Sequence, residues 1–137
     1  MFFKKKFTFI IILSTLLSYS ALFATMNDNY KYGLNVYKKG NCMGCHSWHG
    51  KGGGGYGAGV SLRTNELTLN EIKNIVKCGR PGTGMPYFFK KSYVIEKCYD
   101  TTFNDYDKSY RPISSKKFLN MRQIDAVSIF VKEVLQG

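Results

Sequence analysis

Cys42-Met43-Gly44-Cys45-His46 is the stretch from which the rest of the chain is read. Two thiols stand about one helical turn apart and an imidazole follows the second directly, so three donors share one short arc of backbone. A redox dithiol of the thioredoxin kind would need alternating strands and helices around it, and no such alternation surrounds this pair. A zinc site would have to take Cys42, Cys45, His46 and His49, four ligands crowded into one short stretch. Structural zinc sites instead draw ligand pairs from separated segments, so His49 reads as an ordinary surface histidine.

The pentapeptide fits the attachment signature of a c-type haem: two thiols add across the vinyl groups, and His46 ligates the iron from one face. A sixth iron position then needs a ligand. Met85 lies in Arg80-Pro81-Gly82-Thr83-Gly84-Met85-Pro86, where prolines limit the loop's freedom and glycines allow close approach to a porphyrin. Met43 is tied inside the motif, Met26 lies near the expected mature terminus, and Met121 opens a helix, where core packing is the default. On these residues the chain resembles the c-type cytochromes over nearly all of its expected mature length. Gly84-Met85-Pro86, well downstream of His46, resembles the axial-methionine loop of small monohaem class I cytochromes c. The resemblance implies one covalently attached haem c, bonded at Cys42 and Cys45 with His46 and Met85 on the iron. The alternative for Met85 is a loop methionine that only packs on the ring. Met/His ligation raises the potential and closes both axial sites, which argues for a carrier and not an enzyme.

Three amphipathic segments frame these ligands. Residues 29–39 place Tyr30, Gly33, Leu34 and Tyr37 at helical steps on one buried face. Gly33 costs a helix about 1 kcal/mol against alanine, so a close helix contact is expected there. Thr68 and Glu71 form a capping box, with Leu67 and Ile72 as a staple, starting a helix that runs to about Lys77 with Ile72, Ile75 and Val76 inward. Asn120 with Gln123, and Leu119 with Ile124, start another, whose stripe of Val127, Ile129, Phe130, Val134 and Leu135 continues to Gly137. The resemblance implies that Phe130 sits against Gly33 and Tyr37, where the last helix crosses the first. The expected class is all-α, a cytochrome c-like fold of three main helices around the haem, with a long aromatic-rich insertion before the last helix.

Gly52 to Gly59 is dominated by glycine. It has neither the preceding strand nor the following lysine of a phosphate loop, and reads as a turn-rich connection whose backbone approaches the porphyrin. Arg63 is a candidate partner for a haem propionate, or a solvated surface arginine.

The chain opens with Lys4, Lys5 and Lys6, runs through apolar Phe7 to Leu17 and reaches small residues at Ala21 and Ala24. These are the parts of a secretory signal, 1–24, leaving a cytochrome c domain at 25–137 in the periplasm. The rival is an uncleaved anchor facing the periplasm, since Phe7 to Ala24 carries no charge and comes near the lower limit of length for a span. The whole chain carries +11. Cleavage would remove three of the 20 basic residues and none of the nine acidic ones, and so leave +8. Scattered charge and export disfavour nucleic acid. The expected partners are redox proteins with acidic docking surfaces, among them by resemblance a quinoprotein dehydrogenase. They would be steered by a basic rim of Lys38, Lys39 and Lys51 with Lys90, Lys91, Lys97, Arg111, Lys116 and Lys117 of the stretch 87–118, or else these are simply a soluble basic surface. Membrane contact is expected only if the N-terminal segment is retained.

The stretch 87–118 departs from the smallest family members. Aromatic side chains recur through it from Tyr87 to Phe118, too densely for a disordered tether, so the insertion should fold onto the body. Cys78 and Cys98 are the remaining cysteines. In an oxidising compartment a disulfide between them would tie the insertion to both sides of Met85, the alternative being a free or intermolecular thiol. The reading is a one-electron carrier passing electrons from a dehydrogenase or bc-type complex to an oxidase or another cytochrome. Its alternatives are a haem subunit of a larger periplasmic dehydrogenase, and a haem-based gas sensor or peroxidase.

Overall fold

The computed structural model describes residues 28–55 and 59–137, and the signal expected at 1–24 lies outside the described residues. Residues 28–39 are helical (α1). A single turn follows at Met43–His46 (α2), then Leu69–Cys78 (α3), a 3-10 turn at Phe103–Asp105, and Met121–Phe130 (α4), which continues as a wider π turn at Val131–Leu135. Among the described residues there is no named strand, only isolated bridges, so the fold is all-α. No helix of these residues is long and apolar enough to cross a membrane.

α3 and α4 each start where local chemistry dictates. Thr68 Oγ1 accepts from the Glu71 amide while the Glu71 carboxylate accepts from the Thr68 amide at 2.7 Å. Asn120 and Gln123 repeat the exchange at α4. The Thr68 hydroxyl, then its amide, hold the Glu71 carboxyl below its ordinary 4.5. This box therefore stabilises the fold above that value, and its contribution fades as pH falls through the lower folded value. Glu71→Gln keeps an acceptor and removes the titration. Melting temperatures followed by circular dichroism from about pH 6 to about pH 3 should fall less steeply in the variant than in the parent.

Val36 and Tyr37 of α1, Ile72 and Val76 of α3, and Ile124, Val127 and Phe130 of α4 form the main core, joined by Phe88, Leu119, Val131 and Leu135. Phe130 lies 5.5 Å from the Tyr37 ring and 5.6 Å from the Tyr30 ring. Gly33 makes that crossing possible. A Cβ there would stand 2.6 Å from Phe130 Cβ and 2.7 Å from the Ala126 carbonyl oxygen, and a helix backbone cannot rotate aside. Gly33→Ala gains about 1 kcal/mol of helix propensity but overpacks the crossing at about 1–3 kcal/mol. A net loss of up to about 2 kcal/mol is expected, read as a lower urea midpoint at unchanged slope.

Several inward assignments change. Ile129, Val134 and Met121 are exposed, Tyr30 is only partly covered, and Ile75 is half-buried. The buried face of α4 runs through Ile124, Val127 and Phe130. Beyond it the helix widens, with the Gln136 amide donating to the Val131 carbonyl at 3.1 Å, and in that last turn Leu135 is buried as expected while Val134 is not.

The insertion folds around a second cluster of Cys78, Tyr87, Tyr93 and Cys98, with Phe103 and Tyr106 against it. Its polar groups meet the carbonyls that the end of α3 leaves free. Phe88 N–H donates to Val76 O, Phe89 N–H and Ser92 Oγ to Lys77 O, Tyr93 Oη to Cys78 O and Tyr99 Oη to Gly79 O. The segment that looked like an addition is thus the C-terminal cap of α3.

Candidate functional site

The Cys-x-x-Cys-His turn hangs directly from α1. Cys42 N–H donates to the Tyr37 carbonyl at 3.1 Å, and Cys42 then caps α2. Tyr37, packed on Phe130, donates its hydroxyl to the Ser47 carbonyl at 2.9 Å. Burial, followed by the neighbouring Cys42 and Cys45, raises the Tyr37 pKa, so the hydroxyl stays a donor. One tyrosine therefore pins both the helix crossing and the far end of the motif.

His46 is buried, with Nδ1 2.9 Å from the Val60 carbonyl oxygen. A carbonyl only accepts, so Nδ1 carries a proton and Nε2 is the nitrogen left to meet a metal. That arrangement suits a metal ligand, because the hydrogen bond fixes the orientation of the ring. Val60 is brought there by the glycine-rich segment. Gly54 N–H donates to Cys45 O at 2.9 Å and Gly52 N–H to His46 O at 3.0 Å. A Cβ at Gly54 would strike the Gly44 carbonyl, and one at Gly59 the Cys45 carbonyl. The glycines expected to make room for a porphyrin thus make room first for the backbone of the motif itself.

Cys42 and Cys45 are the two cysteines outside the disulfide, both half-buried. Burial pushes the Cys42 thiol up to about 12, with its own backbone amide opposing and Cys45 adding. A redox dithiol works the other way, lowering the thiol pKa to expose a thiolate. Gly40 lets Cys42 lie close, since a Cβ there would be 3.3 Å from Cys42 Sγ and 3.4 Å from Phe88 Cε1. Cys42, Leu62, Leu67 and Met85 all pack, half-buried, against the main core.

Met85 is held by a loop closed on itself. Arg80 N–H donates to Met85 O at 3.0 Å, and Met85 N–H to Thr83 Oγ1 at 3.2 Å. Gly79, with φ of +67°, lets α3 turn into this loop, and a Cβ there would lie 2.7 Å from Pro86 C and Tyr87 N. From the other side, Gly82 N–H donates to the Tyr110 carbonyl at 3.1 Å and the Tyr110 ring lies on Gly82. Cys78 and Cys98 are joined as a disulfide, with Cα atoms 5.7 Å apart. The bond fastens the insertion to the end of α3, immediately before the methionine loop.

Other sequence candidates stand apart. His49 accepts from the Lys51 amide at 3.2 Å, and Arg63 is exposed. Among the described residues no three His, Cys, Asp or Glu side chains gather as a metal cage. The tyrosine hydroxyls of Tyr37, Tyr93 and Tyr99 and the Val60 carbonyl were not anticipated. A backbone acceptor has no side-chain signature, and the hydroxyls read only as aromatic bulk.

The donor set fits a covalently held haem. Two half-buried thiols, an imidazole oriented through Nδ1 by Val60, a half-buried thioether and an apolar margin are the chemistry that such a group needs. No curated protein and no solved structure matches the chain. The family model described as Cytochrome c matches residues 30–134, most of the chain. With the all-α fold and the attachment motif already in place, that match settles the kinship: the chain belongs to the cytochrome c family, haem proteins that carry electrons on a covalently attached haem c.

Proposed function

We propose that the protein is an exported monohaem carrier in which Cys42 and Cys45 bond the haem and His46 and Met85 fill the two axial positions. Haem c supplies the Fe(II)/Fe(III) couple, so each cycle takes one electron from a donor and gives it to an acceptor. The observation that carries the reading is the Nδ1 hydrogen bond of His46 to Val60, which leaves Nε2 free for a metal. Val60 and Tyr37 keep the proximal ligand and its turn in place, and the Arg80–Met85 loop presents a soft thioether. Met85 would favour ferrous iron as a thioether ligand, and with His46 opposite it the iron would have no site left for oxygen chemistry.

The Cys78–Cys98 bond supports export to an oxidising compartment, as does the basic and apolar opening of the chain. Exposed Lys38, Lys39 and Lys51, near the attachment motif in sequence, suit an acidic redox partner through long-range steering. A quinoprotein dehydrogenase or bc-type complex as donor, and an oxidase or second cytochrome as acceptor, follow from the family. The test uses the full holoprotein. A methionine-to-iron charge-transfer band in the ferric form, together with a ferrous form that is slow to take up carbon monoxide, is the expected result. Rapid carbon monoxide binding, or loss of the haem to acidified organic solvent, overturns the reading.

A further inference from the structure

The most exposed large aliphatic side chains among the described residues are adjacent: Val94 at 68% and Ile95 at 74%. They sit at the tip of a turn that is not loose. The amides of Val94, Ile95 and Glu96 all donate to the Lys91 carbonyl, and Tyr93 N–H donates to Glu96 O at 2.8 Å. On the inner side of that turn Ser92 is fully buried with Oγ on Lys77 O, Tyr93 is buried with Oη on Cys78 O, and Cys98 is in the disulfide. A rigid base thus holds two branched apolar side chains out in water, where an unconstrained turn would fold them back.

Within the turn itself, 90–97, the charges left without an ion pair are all positive, although Asp105 lies near enough to Lys97 to feel its charge. Lys90, Lys91 and Lys97 are exposed and form no ion pair among the described residues, while the one acid in the turn, Glu96, is held by Lys77 at 2.6 Å. Asp100 and Asp105 lie beyond Lys97, and Asp105 is engaged by the Thr102 amide and hydroxyl. We infer that this turn is a docking tip for an anionic phospholipid surface: Val94 and Ile95 enter the headgroup layer, and Lys90, Lys91 and Lys97 rest among the phosphates.

Two arguments select lipid over a protein partner. A single turn is too small for a stable protein interface of roughly 1,000 Å², leaving only a transient redox encounter as the protein alternative, whereas at a membrane surface two aliphatic side chains and three lysines act together through buried apolar area and attraction to anionic lipid. The tip also springs from the second cluster, not from the core against which Cys42 and Met85 pack, so it need not lie on a path for electrons. It is a membrane contact separate from the N-terminal segment.

The experiment compares the full holoprotein with V94S/I95S and with K90Q/K91Q/K97Q on vesicles of phosphatidylcholine with and without phosphatidylglycerol. Cosedimentation is read alongside hydrogen exchange of the peptide spanning Lys90 to Cys98, which reports the tip even when the N-terminal segment itself binds lipid. Slowed exchange of this peptide on the anionic vesicles alone is expected. Apparent partition should fall at least about tenfold in V94S/I95S. It should fall about fivefold per lysine removed and weaken with salt, both haem spectra staying unchanged. Unaltered exchange of the peptide on anionic vesicles overturns the proposal, as does equal protection on neutral ones. So does protection of the peptide by an acidic redox protein in place of lipid. A failed ligation test leaves the result of this one unaffected, because neither readout depends on the iron ligands.

Discussion

Met85→Ala is expected to turn a closed haem into an open one. The ferric charge-transfer band disappears, the ferrous protein binds carbon monoxide rapidly, and the potential falls by on the order of 100 mV or more, within the roughly 0.8 V range that axial ligands span. The physical cause is the loss of a soft donor that stabilises ferrous iron. Met85→His separates coordination from softness. It keeps both positions filled, so carbon monoxide is still excluded, yet the potential drops because imidazole is the harder donor. The fold should survive both changes, since Met85 lies half-buried at the margin of the core and its loop is held by main-chain and Thr83 contacts. Retention of the band in Met85→Ala would assign the sixth ligand to another methionine and sink the proposed ligand pair.

Removing the disulfide as Cys78→Ala/Cys98→Ala is expected to cost about 3 kcal/mol by loop-closure entropy for a loop of this length. The two cysteines are 20 positions apart, and the segment between them includes Met85 and the whole Val94–Ile95 turn. The loss should not be spread evenly. α1 and α4 meet at Gly33 and Phe130 without help from the bond, whereas the second cluster is built on Cys78 and Cys98 themselves. In a urea titration the methionine band should therefore vanish at lower urea than the helical signal, giving two transitions where the parent shows one. Coincident transitions in the variant would show that the hydroxyls of Tyr93 and Tyr99 hold the insertion by themselves.

How much of this was legible without coordinates depends on how far apart the interacting residues are. Thr68 with Glu71, Asn120 with Gln123, and the Cys42 to His46 signature are contacts within one turn of chain, so residue type and spacing are enough to read them. Gly33 was legible for a different reason. A glycine inside an amphipathic helix is unfavourable unless something occupies the space of its side chain, and Phe130 does. The sequence by itself thus determined where helices start, which residues share the Cys42–His46 turn and where two helices must touch.

Tertiary structure decided the rest. That Val60 supplies the acceptor for His46, that Phe88 enters the main core, and that Tyr93 and Tyr99 complete the end of α3 are meetings between groups several turns of chain apart, and nothing local selects them. That Val134 is left exposed while Leu135 is buried depends on how the end of α4 packs, because at the last turn the edge of the buried face is set by what lies against it. Main-chain carbonyls are the same for every residue type, so only the folded chain could assign them.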